Sequence, residues 1–206
     1  MRNLKTAVMM TIVLTILTGL VYPLVIAGIA QALFPLQANG SLIERNGQVV
    51  GSSLIGQDFS GPAYFHSRPS AAGDKGYDAS ASGGSNLGPT NKTLIEAVKS
   101  RLKDVLEENP GITASQVPID IVTSSGSGLD PEISLAAAQI QIARVARARG
   151  LSEDRVRDLV EQATRGRWGG ILGEPGVNVL QLNIALDNIA PIPQKSGVKT
   201  ANAAGS

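Results

Sequence analysis

The chain has 206 residues, and its 18 Lys+Arg against 17 Asp+Glu leave a net charge of +1, so no basic field exists to gather nucleic acid. The absence of cysteine and the presence of one histidine exclude disulfide scaffolds, zinc fingers, iron–sulfur centres, thiol nucleophiles and most histidine-based metal sites. Twenty-three Gly and 11 Pro would suggest disorder if apolar content were low, but it is 43%, and the mean hydropathy of +0.09 conceals an apolar excess concentrated at the N-terminus.

Residues 7–30 form a run of 24 without a charge. As a helix this run reaches roughly 36 Å, enough for a hydrocarbon core of about 30 Å. Arg2 and Lys5 precede it and the next basic residue is Arg45. The positive-inside rule therefore predicts a cytoplasmic segment 1–6, a transmembrane helix 7–34 and a periplasmic or extracellular remainder. A cleaved signal peptide is the rival reading, with Ala30-Gln31-Ala32 fitting the small-residue cleavage pattern. Against it, the apolar stretch exceeds the usual h-region and contains Gly19, Tyr22, Pro23 and Gly28. Gly19 and Gly28 suit close approach of a partner helix, and Pro23 is tolerated where neighbours satisfy the freed carbonyl, so these three are the expected packing residues. A passive anchor is the alternative.

Residues 40–188 are enough for one domain with its own core. The overall expectation is an α+β chain: one membrane helix, then a domain with short strands in its first half and about four helices in its second. Apolar bursts at 41–44, 48–50, 53–55 and 63–66 read as short strands. Asn46-Gly47 marks a hairpin between the first two. Residues 73–89 are nearly all small and polar, which fits an ordered loop or a disordered one equally.

After Pro89, with Thr90 or Asn91 as cap, Leu94, Ile95, Val98, Leu102, Val105 and Leu106 recur at helical spacing until Asn109-Pro110. Residues 118–123 read as a strand with Ile119 and Ile121 on one face. Asp130-Pro131 reads as a cap followed by Pro at the first helical position, opening a helix with Ile133, Ala136, Ala137, Ile140 and Ala143 inward and closing at Gly150. Ser152 caps a helix striped by Val156, Leu159, Val160 and Ala163, and Asn178 caps the last, running through Leu186. Residues 189–206 lack apolar periodicity and are expected to be a disordered tail.

Catalytic patterns fail one by one. A Gly-x-Ser-x-Gly elbow centred on Ser127 needs glycines where Ser125 and Leu129 stand. Ser100 and Lys103 match Ser-x-x-Lys only on the wet side of a helix, and His66 reads as a strand or rim residue. For nucleotide, the weak candidates are Ser82, Gly83, Gly84, Ser85, Asn86 and Lys92, because Gly83 and Gly88 have P-loop spacing. Pro89 stands where the phosphate-binding lysine belongs, and tight turns explain the glycines as well. No catalytic residue and no metal site are expected.

The order of short motifs is more informative than any one of them. Behind the membrane segment come Gly51-Ser52-Ser53-Leu54-Ile55-Gly56-Gln57-Asp58-Phe59, Tyr64-Phe65-His66-Ser67-Arg68-Pro69-Ser70-Ala71 and Ser82-Gly83-Gly84-Ser85-Asn86-Leu87-Gly88-Pro89. Gly126-Ser127-Gly128-Leu129-Asp130-Pro131, Gly173-Glu174-Pro175 and Leu182-Asn183-Ile184-Ala185-Leu186-Asp187 follow. This succession resembles the KdpC family, the C subunits of the bacterial Kdp potassium-transporting P-type ATPase, from the membrane segment to Asp187. The resemblance implies an inner-membrane complex with three partners: a P-type ATPase subunit, a channel-like potassium-binding subunit and a small single-helix subunit. It also implies an accessory role, described as a catalytic chaperone that raises the ATP affinity of the ATPase subunit. The Asp-Lys-Thr-Gly-Thr phosphorylation motif is absent from this chain, and ATP and potassium are expected to be handled by the complex, with no cofactor bound here directly. From an exterior domain, any effect on ATP affinity has to pass through the assembly. An exported enzyme or a ligand-binding module acting alone are the alternatives; few aromatics to line a pocket speak against the second.

Overall fold

The structure is a computed structural model and describes residues 2–45 and 47–192. Asn46 and residues 193–206 lie outside that set, so neither the turn residue Asn46 nor most of the expected tail can be compared with it. The chain divides into two compact units, Met1–Ser52 and Ser53–Ser206.

The first unit opens with α1 (Arg2–Ile16), a wide π turn at Leu17–Val21, and α2 (Tyr22–Leu33). Together they make one helix, Asn3–Leu33, long and apolar enough to cross a membrane, with none of its most apolar stretch covered by the rest of the chain. The π turn has a local cause. The Pro23 ring collides with the carbonyl four residues back, at Gly19, in regular α geometry, and one extra residue in the preceding turn relieves it. Tyr22 N–H accordingly donates to the Leu17 carbonyl, five residues back. A short helix α3 (Pro35–Ala38) follows, and Asn39 exchanges side-chain amide bonds with Gln31 at 3.1 and 3.2 Å. The expected hairpin is present: β1 (Leu42–Arg45) pairs antiparallel with β2 (Gln48–Ser52), with a bulge between Ile43 and Glu44.

In the second unit α4 (Lys92–Glu108) begins where expected, with Asn91 Oδ1 accepting from Thr93 and Leu94 N–H. Beyond it lie β3 (Glu132–Ser134), α5 (Leu135–Gln139), α6 (Ile142–Arg149), α7 (Glu153–Gln162), β4 (Thr164–Arg165), β5 (Gly176–Asn178) and α8 (Val179–Ile189). The three strands form an antiparallel sheet in the order β3-β5-β4. Phe65, Ile133, Ile142, Val145, Val156, Val177, Leu182 and Leu186 fill the core between this sheet and the helices. Gly150 closes α6 in the left-handed region at φ 66°, and Ser152 and Asn178 cap α7 and α8 through Arg155 and Gln181 N–H.

Four expectations are corrected. Asp130 caps no helix. Its Oδ1 accepts from Glu132 N–H at 3.0 Å, its other oxygen pairs with Arg68 at 2.8 Å, and the chain continues as β3; the cap is Ser134, which accepts from Ala137 N–H at 3.0 Å. The helix after it is broken at Ile140-Gln141, and within α5 the buried face differs from the expected one: Ala137 and Ala138 are buried, whereas Ala136 is exposed. Residues 118–123 form a 3₁₀ turn at Ile119–Ile121 instead of a strand, so Ile119 is 70% exposed and Ile121 only 6%. Residues 53–55 and 63–66 also form no strand. The backbone around Phe65 is bonded to side chains instead.

Candidate functional site

Three places bear on function: the 61–67 segment with its buried charges, the loop holding the nucleotide candidates, and the membrane helix. The first contains His66. Asn183, 1% exposed, accepts from Phe65 N–H and donates to the Phe65 carbonyl, both at 2.9 Å, as a neighbouring strand would. Gln141 accepts from His66 N–H at 2.8 Å. Arg144, 7% exposed, donates to the carbonyls of Pro62 and Tyr64 at 2.9 Å, to Asn109 Oδ1 at 3.1 Å and to Gln141 Oε1 at 2.6 Å. Arg149, its side chain fully buried, pairs with Asp187 at 2.9 Å, donates to the Ala63 carbonyl at 2.6 Å and lies 4.8 Å over the Tyr64 ring. Together these polar groups hold an irregular segment against α6 and α8.

His66 fits that structural role better than a catalytic one. Its Nε2 lies 2.9 Å from the Gly61 carbonyl, which accepts from that nitrogen when it carries the proton, and its Nδ1 lies 3.1 Å from Glu108 Oε2. Burial, then Arg144, hold its pKa below the ordinary 6.5, with the Gly61 carbonyl, Glu108 and Asp58 acting the other way. The contact with Glu108 favours an imidazolium, but that carboxylate is 45% exposed and screened by water, so burial and Arg144 prevail. No serine or nucleophile stands among the atoms bonded to this ring.

The nucleotide candidates are split. Gly83 N–H and Ser82 Oγ both donate to the Ser127 carbonyl, at 2.8 and 3.0 Å. A Cβ at Gly84 would stand 2.9 Å from the Gly126 carbonyl oxygen, and one at Gly128, where φ is +68°, 2.5 Å from the Gly83 carbonyl oxygen. The glycines let two loops cross at backbone contact, and Ser70 Oγ ties the crossing by donating to the Gly128 carbonyl at 2.6 Å while accepting from Tyr77 N–H at 2.7 Å. Tyr77 is half-buried there, its phenol pushed up to about 12 chiefly by burial. Asn86 adopts φ 53°, and Lys92 is 88% exposed on the first turn of α4, 3.6 Å from Glu96. Ser82, Gly83 and Gly84 thus meet residues 126–128, while Lys92 lies apart on α4. Among the described residues no cluster of His, Asp and Glu is arranged to hold a metal ion.

In the long apolar helix the π turn contains Gly19 and leads into Pro23, and a Cβ added at Gly19 or Gly28 meets no atom within 4 Å beyond the neighbouring helix backbone. Sequence reasoning missed Asn183, Gln141 and Arg144, whose roles depend on a segment up to 118 residues away in the chain. The one local signal was three polar residues on otherwise apolar helix faces.

The family model for KdpC, described as "K+-transporting ATPase, c chain", matches residues 4–188. The chain is 56% identical over 192 residues to the potassium-transporting ATPase KdpC subunit of Koribacter versatilis, covering 93% of this chain and 97% of that one. It is 57% identical over 192 residues to the corresponding subunit of Rhodospirillum rubrum, at 93% and 98% coverage. For the subunit of Methylococcus capsulatus the figures are 56% over 185 residues, 90% and 97%.

Proposed function

We propose a role that proceeds from the family: the chain belongs to the KdpC family of K+-transporting ATPase c chains, and is therefore an accessory subunit of the Kdp complex. Beyond that, the one long apolar helix among its described residues anchors it in the inner membrane, with the N-terminus cytoplasmic and the main domain on the periplasmic side. The observation that carries this reading is one apolar helix, Asn3–Leu33, with Lys5 near its start and no basic residue after it until Arg45. Its partners are the P-type ATPase subunit, the channel-like potassium subunit and the small single-helix subunit, and its work is to stabilise their assembly. Gly19, Pro23 and Gly28 are the positions at which the helix packs on partner helices.

An influence on ATP affinity, in this reading, travels through the assembled complex and needs no nucleotide on this chain. The use of Gly83 N–H and Ser82 Oγ inside the fold supports that, since a phosphate cradle needs free donors. The test is thiol access. This cysteine-free chain with Asp154→Cys, at an exposed position in the first turn of α7, should react with a membrane-impermeant maleimide on cells whose outer membrane alone is opened. Labelling that requires disruption of the inner membrane overturns the orientation. Affinity purification through this chain should recover the ATPase subunit; recovery of the chain alone overturns the assembly role.

A further inference from the structure

The loop between β4 and β5 carries a feature that neither the fold nor the anchor uses. Residues 166–175 connect two paired antiparallel strands at the edge of the sheet and expose three large apolar side chains: Trp168 at 78%, Ile171 at 80% and Leu172 at 60%. The tip is built, since Trp168 N–H donates to the Leu172 carbonyl at 2.8 Å and Leu172 N–H returns the bond at 3.0 Å. Gly169, Gly170 and Gly173 supply the left-handed turns, at φ 60°, 78° and 82°. A preformed backbone of this kind loses little conformational entropy on binding. Side chains of this size held out in water form the sort of patch that marks an interaction site, and Trp is the residue most enriched at binding hot spots.

The charges around the tip select the occupant. Arg167 Nη2 donates to both carboxylate oxygens of Glu174, at 2.9 and 3.0 Å, and Arg165 pairs with Glu132 at 2.9 Å. Both guanidinium groups beneath the apolar tip are thus matched by carboxylates, leaving an electroneutral collar around an apolar centre. An anionic bilayer surface recruits loops through unpaired Lys and Arg. A protein pocket needs the opposite, an apolar centre inside a polar rim that seals out water.

We propose that this loop is a docking knob, its Trp168, Ile171 and Leu172 seated in an apolar pocket on a partner protein of the transport complex. The proposal rests on the reading of the chain as a subunit of that complex and adds the residues by which its domain is held. The test uses the full chain, which has no cysteine of its own. Ile171→Cys is labelled with maleimide in three settings: the chain alone in detergent, the chain alone in lipid nanodiscs, and the co-purified complex. Rapid labelling in the first two and at least a tenfold slower rate in the complex is expected, with Asp154→Cys on α7 as a reference. Trp168→Ala is expected to lower recovery of the partner subunits at least tenfold, about 1.4 kcal/mol of binding, without altering the circular dichroism of the chain. Equal labelling of the Ile171→Cys variant in the complex and as the isolated chain overturns the knob while leaving the assembly role intact. Protection already complete in nanodiscs assigns the loop to lipid and overturns the partner pocket, as does protection accompanied by dimerisation of the isolated chain. Failure of the unaltered chain to recover any subunit overturns both readings.

Discussion

A side-chain amide does at Asn183 what a neighbouring strand does elsewhere. Phe65 is fully buried, so its N–H and carbonyl must be bonded, and Asn183 supplies both partners. Asn183→Leu keeps the volume and orphans both groups, at about 1–3 kcal/mol for each. A chemical-denaturation midpoint equal to that of the unaltered chain would show that Phe65 finds other partners. His66, next in sequence, makes stability depend on pH. Because burial and Arg144 lower its pKa in the folded state, the unfolded chain binds the proton more readily. Its contribution is complete above about 6.5, the value in the unfolded chain, and is lost as pH falls through the lower folded value. Melting temperature should therefore drop between pH 7.5 and 5, and His66→Gln should flatten that drop; equal slopes for the two proteins would show that the acid sensitivity arises elsewhere.

At the scale of elements, two breaks carry the interest. The start of α5 is set by Ser134, whose hydroxyl accepts from Ala137 N–H at 3.0 Å and donates to Asp120 at 3.1 Å. Ser134→Ala should cost about 0.5–2 kcal/mol, read as a lower melting temperature, and no change would move the cap to another residue. The membrane helix widens into its π turn before Pro23, with Gly19 inside the turn. A Cβ added at Gly19 or Gly28 meets no atom of the described residues within 4 Å beyond the neighbouring helix backbone, so Gly19→Leu should leave the isolated chain folded. Reduced recovery of partner subunits with Gly19→Leu would then report a contact with another helix. Undiminished recovery would show a passive anchor. Several helices were legible in advance for a plain reason. Asn91, Ser152, Asn178 and Gly150 act within one turn of their own position, and the stripe Val156, Leu159, Val160 repeats at helical period. The strands β3, β4 and β5 have two or three residues each, too few to show any period.

For the whole molecule, the long apolar N-terminal helix, the hairpin, the α+β class and the family were all readable from residue order. Each rests on information that is local or repeated: an uncharged run, a turn dipeptide, a helical period, a succession of short motifs. The site was less legible. Asp130 before Pro131 looks like a helix cap in sequence, but Arg68, 62 residues earlier, takes one of its oxygens, and the pairing of β3 with β5 extends the chain. Residues 63–66 look like a strand, yet Gln141, Arg144, Arg149 and Asn183 take up the hydrogen bonds that a strand would give to a sheet. The glycines at 83, 84 and 128 look like an anion cradle until two distant loops are seen to cross there. The sequence by itself determined where the chain is apolar, where α4, α7 and α8 start and to which family it belongs. Only the tertiary structure decided which backbone groups are already bonded, because buried donors and acceptors choose partners by proximity in space, and a single sequence records proximity only between neighbours in the chain.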